Sequence, residues 1–288
     1  MKKFICVSLF ASYLFCFSCV NDISGVCGGG VTLSLCGRYT VVPDKDPDNN
    51  VTAGCTGLGY NPDTDEFVIS YYNYAEKSEL WIYSKADLTS YAVNLSLNPN
   101  PTRKIDVSKY VAHIQGCDYD TDLKCYWLIG TIPGEDLADD KRLMIQISTE
   151  GKLIGRFEMF EYTYQPGMLA VYGDEIYIKP NNKKLIWVFN KTDKKLIRTI
   201  NTPKYQHEGF GLDKTNGDIW LISDNMEVDH YDNDMNLIGN YRIKTFNNQV
   251  EGVIISAETN RMFVTADSYL HGNINNGNCL WEYLLPAK

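Results

Sequence analysis

Apolar residues along the chain fall into short runs broken by polar turns, and the runs recur as a unit. Residues 207–243 carry the unit most clearly, and degraded copies occur four more times. Gly57, Gly116, Gly167, Gly209 and Gly252 each open an apolar run that reaches a polar turn. The chain then returns as a second run, at Phe67–Ile69, Tyr126–Ile129, Ile176–Ile178, Ile219–Ile222 and Met262–Val264. Two short apolar runs around a turn predict a β-hairpin. A third run follows, ending on Tyr83, Ile147, Phe189, Tyr231 or Tyr283. A turn rich in Asp, Asn, Gly or Lys then leads to a fourth run, clearest at Leu153-Ile154, Leu196-Ile197 and Leu237-Ile238. Each copy predicts four strands.

The aligned glycines lie roughly 40 to 60 residues apart, a spacing that suits a propeller blade and exceeds a leucine-rich or ankyrin repeat. The fold expected is all-β, a β-propeller of five four-stranded blades, with six as the alternative. An ordinary β-sandwich with similar hairpins is the plainer competitor. The last copy ends before a fourth run appears. Residues 31–42 are β-rich and precede the first copy, so they are expected to pair with the last blade and close the ring.

The N-terminus changes the picture from fold to location. Met1-Lys2-Lys3 is followed by an apolar stretch from Phe4 to Phe17, too short for a stable membrane span and arranged like a secretory leader. Ser18 directly before Cys19 resembles the lipobox of bacterial lipoproteins, with Cys16 where an aliphatic residue is usual. Residues 1–18 are therefore expected to be a signal peptide, Cys19 a lipidation site, 19–30 a tether and 31–288 one propeller domain. The protein is expected in the cell envelope, or secreted if Cys19 is not lipidated, and as a monomer.

The chain has nine cysteines and a net charge of −9, which becomes −11 once Lys2 and Lys3 leave with the leader. Six cysteines remain beyond Cys19, an even number that suggests disulfides in an exported chain. Cys117 with Cys125, on the arms of one hairpin, and Cys36 with Cys279, through the closing strand, are the expected pairs. Among these six no Cys-x-x-Cys pair supports zinc. The acidic balance and the absence of a Lys/Arg cluster argue against nucleic acid. Asn50, Asn94 and Asn190 head glycosylation sequons that matter only in a eukaryotic host.

In a propeller the first strand of each blade lines the channel, and its start shares a face with the end of the second. Thr56, Gln115, the Gln165-Pro166 pair, Glu208 and Glu251 stand just before the aligned glycines and so ring the channel mouth. Asp224 and Asp267, each fifteen residues beyond its glycine, belong to the same face. Clustered carboxylates raise one another's pKa unless a cation neutralises them, and oxygen ligands suit calcium, with Glu208 and Glu251 the expected metal ligands. The competing reading makes these acids blade-to-blade fasteners. Tyr71, Tyr72 and Tyr74, with long loops at 133–140 and 271–278, add an aromatic and acidic surface for a sugar or a cationic ligand. His113 and His207 are within reach as bases, though packing is the commoner role for such histidines. Neither a Gly-x-Ser-x-Gly elbow nor a His-Glu-x-x-His motif is present.

Glu208-Gly209…Trp220…Ser223-Asp224…Tyr231-Asp232, followed by Glu251-Gly252…Thr259-Asn260-Arg261-Met262-Phe263…Asp267, resembles extracytoplasmic β-propellers of the SdiA-regulated and gluconolactonase-like style. The likeness runs mainly over residues 207–283. It implies an exported propeller of a class that includes both enzymes and binding proteins, in rings usually of six blades. The function expected is binding of a ligand or protein partner by the mouth and its loops, through Gln115, Glu208, Glu251, Asp224, Asp267 and Tyr72. The alternatives are a calcium-dependent hydrolase of a phosphoester, nucleotide or lactone, or a five-bladed glycosidase working with the acidic mouth.

Overall fold

The computed structural model describes residues 31–42, 53–73, 77–91, 99–134, 142–159, 166–181, 183–203, 207–223, 225–244, 249–267 and 278–286. The chain begins with β1 (Val31–Thr32) and β2 (Ser34–Val42). The first blade is β3 (Ala53–Asn61), β4 (Glu66–Asn73), β5 (Ser78–Ser84) and β6 (Arg103–Asp106). The second is β7 (Ala112–Asp120), β8 (Cys125–Thr131), β9 (Arg142–Ser148) and β10 (Leu153–Glu158). The third is β11 (Pro166–Tyr172), β12 (Glu175–Pro180), β13 (Leu185–Asn190) and β14 (Leu196–Asn201). The fourth is β15 (His207–Leu212), β16 (Ile219–Ser223), β17 (Glu227–Tyr231) and β18 (Leu237–Arg242), with β1 added in parallel at its outer edge. The fifth is β19 (Gln249–Ser256), β20 (Arg261–Asp267), β21 (Asn278–Leu284) and β2. In that blade β2 runs antiparallel to β21, with Ser34 opposite Leu284 and Thr40 opposite Cys279.

The five sheets form a ring, β3 packing on β7, β7 on β11, β11 on β15, β15 on β19 and β19 on β3. The apolar core is divided accordingly. One cluster fills each junction: Val68 and Leu80 meet Ile114 and Leu128, Trp127 meets Leu169, Met168 meets Phe210, Trp220 meets Val253, and Phe263 meets Leu58. Each sheet thus buries both faces, which explains why the inner strands read as near-continuous apolar runs. The aromatics ending the third strands, Tyr83, Phe189, Tyr231 and Tyr283, are all buried in these junctions.

Three of the aligned glycines, Gly57, Gly116 and Gly252, are where inner strands touch. A Cβ on Gly116 would lie 2.7 Å from Leu169 N, and one on Gly252 would lie 2.7 Å from Leu58 N. Neighbouring backbones approach too closely there for any side chain.

Two expectations about cysteines are corrected. Among the described cysteines, Cys36, Cys55, Cys117, Cys125 and Cys279, neither expected pair is bridged. Cys117 belongs to the core between the first and second blades, Cys125 to that between the second and third, so they leave opposite faces of one sheet. Cys36 lies four residues before Thr40, the partner of Cys279, or about 13 Å along the strand, beyond the reach of a disulfide. A helix, α1 (Lys85–Tyr91), follows β5, an element that the run pattern does not predict. Ser84 Oγ accepts from Asp87 N at 3.5 Å at its start, and buried Leu88 fixes it to the core between the fifth and first blades.

Candidate functional site

Every innermost strand is irregular at the same place. Pairing skips Thr56 in β3, His113 to Gln115 in β7, Gly167 in β11, Glu208 in β15 and Glu251 in β19. A bulge bends the strand and re-aims the side chain it frees. The ring of residues beside the aligned glycines is therefore a ring of bulges, at the end of the channel where the first strands start.

The bulged residues differ in what they do. Thr56 is a fastener: its hydroxyl donates to Ile114 O in the next blade and lies 3.1 Å from Ser70 Oγ. Gln115 is half-buried, and its Oε1 is shielded from solvent without a hydrogen-bond partner. His113 takes a left-handed backbone (φ 41°), an uncommon conformation for a histidine. Its ring centre is 4.3 Å from that of buried Tyr72. Burial, with the Arg142 guanidinium adding to it, pulls the imidazole down to about 4. His113 is thus neutral at neutral pH.

Near Tyr72 stands Asp267, buried at the end of β20. A Cβ on Gly54 would meet Asp267 Oδ2 at 2.6 Å and Tyr72 Cε1 at 3.2 Å, so the bare backbone of Gly54 lets carboxylate and phenol ring share one spot. Asp267, Tyr72 and His113 make a continuous wall from the fifth blade across the first to the second. Glu251 is half-buried and belongs to the same neighbourhood. The Cys55 thiol is pushed well up by burial first, then by the charges of Asp267 and Glu251. Asn278, fully buried at the start of β21, ties this wall to the first blade by donating to Ala53 O at 3.1 Å.

Of the residues read from the sequence, Gln115, Tyr72, Asp267 and Glu251 are thus placed on one face. Asp224 and the side chain of Glu208 lie outside the described residues, as do Tyr74, Cys19, Asn50, Asn94 and the long loops. Among the described residues no three His, Cys, Asp or Glu side chains converge as a metal group. The Glu208 half of the expected calcium pair therefore stands on sequence alone. Arg142, 1% exposed beside His113, escaped the sequence reading. It stands next to Asp139, Asp140 and Lys141, where it looks like one more solvated charge.

The opposite end of the channel is laced across. Asp118, on β7, accepts from Val171 N of the third blade at 2.8 Å. It also accepts from Lys214 Nζ, on the hairpin turn of the fourth blade, at 2.8 Å, and Lys214 reaches Tyr119 O at 2.9 Å. Burial pushes the Asp118 carboxyl up, against the pull of Lys214 and two backbone N–H groups. A groove of about 470 Å³ opens elsewhere, on the outside between the second and third blades, lined in part by Met144, Met159 and Phe189. Lys194 lies over its Phe157 ring at 4.5 Å.

No family model and no curated protein matches the chain. Among solved structures it is similar to a glutaminyl cyclase from Myxococcus xanthus, with a TM-score of 0.59 and 11% identity over 88% of this chain and 95% of that one. Weaker likenesses are a Bacteroides caccae protein of unknown function (TM-score 0.47, 7% identity, 79% of this chain and 81% of that one) and the Dos1 propeller (0.44, 11%, 84% and 57%). At these identities the likeness to the cyclase speaks for the fold alone, and the resemblance to SdiA-regulated and gluconolactonase-like proteins gains support only as far as the architecture, a five-bladed β-propeller.

Proposed function

We propose that this chain is an exported β-propeller, anchored through a lipid on Cys19, that binds a ligand or protein partner at the bulged channel mouth. The observation that carries the reading is Gln115 Oε1, a buried acceptor with no partner on a bulge that faces the channel. A shielded polar atom left unpaired costs free energy that an incoming donor recovers. With Asp267 and Glu251 nearby and Tyr72 beside them, the ligand favoured is one rich in hydrogen-bond donors, such as an amine or a peptide N-terminus.

The test is a thermal-shift screen of the full chain against amines, short peptides and sugars, repeated on Gln115→Leu. A ligand is expected to raise the melting temperature of the natural chain and to lose most of that effect in the variant, because binding to the folded state alone stabilises it by mass action. A screen without a hit, or hits that the variant keeps, would sink the reading.

A second reading, a calcium-dependent hydrolase, is favoured by one observation: Glu251 and Asp267 act on the same buried thiol. Here Glu208 and Glu251 would hold the ion, which would polarise a phosphoryl or carbonyl oxygen. A calcium-dependent rise in melting temperature that the double variant Glu208→Gln, Glu251→Gln abolishes would support it, and an unchanged melt with and without calcium would remove it.

A further inference from the structure

The outermost strands carry their own repeated feature, on the outside of the ring. Leu153 stands opposite Ile147, Leu196 opposite Phe189, Leu237 opposite Tyr231 and Leu35 opposite Tyr283, one register position in four consecutive blades. In each blade the strand register skips the next residue at a bulge: Ile154, Ile197, Ile238 or Cys36. The four leucines are 40–57% exposed and the three isoleucines 48–55%. A bulge blunts a sheet edge against unwanted pairing, but it does not require a leucine. Scattered exposed aliphatics need no explanation, whereas seven at matching positions form an apolar rim.

The chain before Val31 indicates what lies against that rim. Val31, 70% exposed, rides on the edge of β18, and three residues later the chain starts β2 and supplies Leu35. The tether thus arrives between the apolar sites of the fourth and fifth blades. Eleven residues separate Cys19 from Val31 and span at most about 40 Å when fully extended. We propose that the rim rests on a lipid bilayer, its Leu and Ile side chains entering the acyl–headgroup boundary of the leaflet that holds the Cys19 lipid. This rests on the lipid-anchor reading given above. Lys152, Lys195 and Arg198 flank the aliphatic pairs and suit headgroup depth, but Glu150, Asp193 and Asp232 occupy the same turns. Contact is therefore apolar in origin and weakly dependent on salt.

The test places the full chain in membranes doped with a lipid carrying a photoreactive acyl chain, and maps labelled peptides by mass spectrometry. Labelling is expected at Leu153-Ile154, Leu196-Ile197 and Leu237-Ile238. It should fall at least ~10-fold in the triple variant Leu153→Ser, Leu196→Ser, Leu237→Ser, with an unchanged melting temperature. Labelling confined to residues before Val31 overturns the proposal. If mass analysis finds no lipid on Cys19, the anchor reading fails by itself. The soluble chain is then floated with vesicles of phosphatidylcholine and phosphatidylglycerol carrying the same probe. Rim labelling is still expected there, and its absence overturns the docking. Self-association that the triple variant abolishes, without labelling, would assign the rim to contact between copies instead.

Discussion

His113 couples the channel mouth to pH through one side chain. Its imidazole is held near 4 in the folded protein against an ordinary value of 6.5. In that window the unfolded chain binds the extra proton, so stability falls as pH drops from 6.5 toward 4, by at most about 3 kcal/mol. Replacing His113 by Asn, which tolerates the left-handed backbone, should remove that part of the pH dependence. Melting curves at pH 7.5 and pH 4.5 check it: the gap between them should narrow in the variant, and an equal gap would mean that other groups set the acid sensitivity. The conformation itself was invisible in the sequence. His113-Ile114-Gln115-Gly116 reads as the start of a strand, and nothing in it says that three residues leave the ladder.

Strands, turns and glycines were legible because each has a local cause. Apolar runs fixed four strands per blade, and backbone contact fixed Gly57, Gly116 and Gly252. What could not be read was the partner each residue meets across a junction. Cys117 and Cys125 look bridgeable on one hairpin until the sheet is seen to bury both faces, one thiol in each core. Helix α1 occupies a polar stretch without a helical apolar face. The lacing of β7 to the fourth blade was equally silent, since Lys214 looks like any turn lysine. It is nonetheless a testable link between elements. Lys214→Met removes the cation facing buried Asp118 and should cost about 2 kcal/mol at neutral pH, discounted because the lysine is itself partly exposed. A carboxyl whose folded pKa is raised costs stability when it ionises. The penalty of Lys214→Met should therefore shrink as acid protonates Asp118, and denaturant melts at pH 4 and pH 7 measure the difference. An equal loss at both would mean that Lys214 acts by packing alone.

At the scale of the whole molecule, the two ends of the chain share one blade. Tyr39, Val41 and Val42 of β2 are buried in the same core as Phe67 and Trp81 of the first blade and Phe263 and Leu280 of the fifth. Deleting residues 31–42 should therefore cost far more than a frayed end: a single cooperative transition ought to become broad or vanish in a denaturant melt. A truncated chain that melts as sharply as the natural one would show that three strands suffice for the fifth blade.

The pairing of Ser34 with Leu284 joins residues about 250 positions apart. Bringing such distant segments together carries a large loop-closure cost before any contact rewards it, and non-local pairing slows folding. Strand β2, made before any other strand of its blade, thus waits for β21 to be made. Until then the barrel of blades has an open seam. Under the export proposed above that delay is useful: a chain threaded unfolded across a membrane can pass through before the ring has the means to lock.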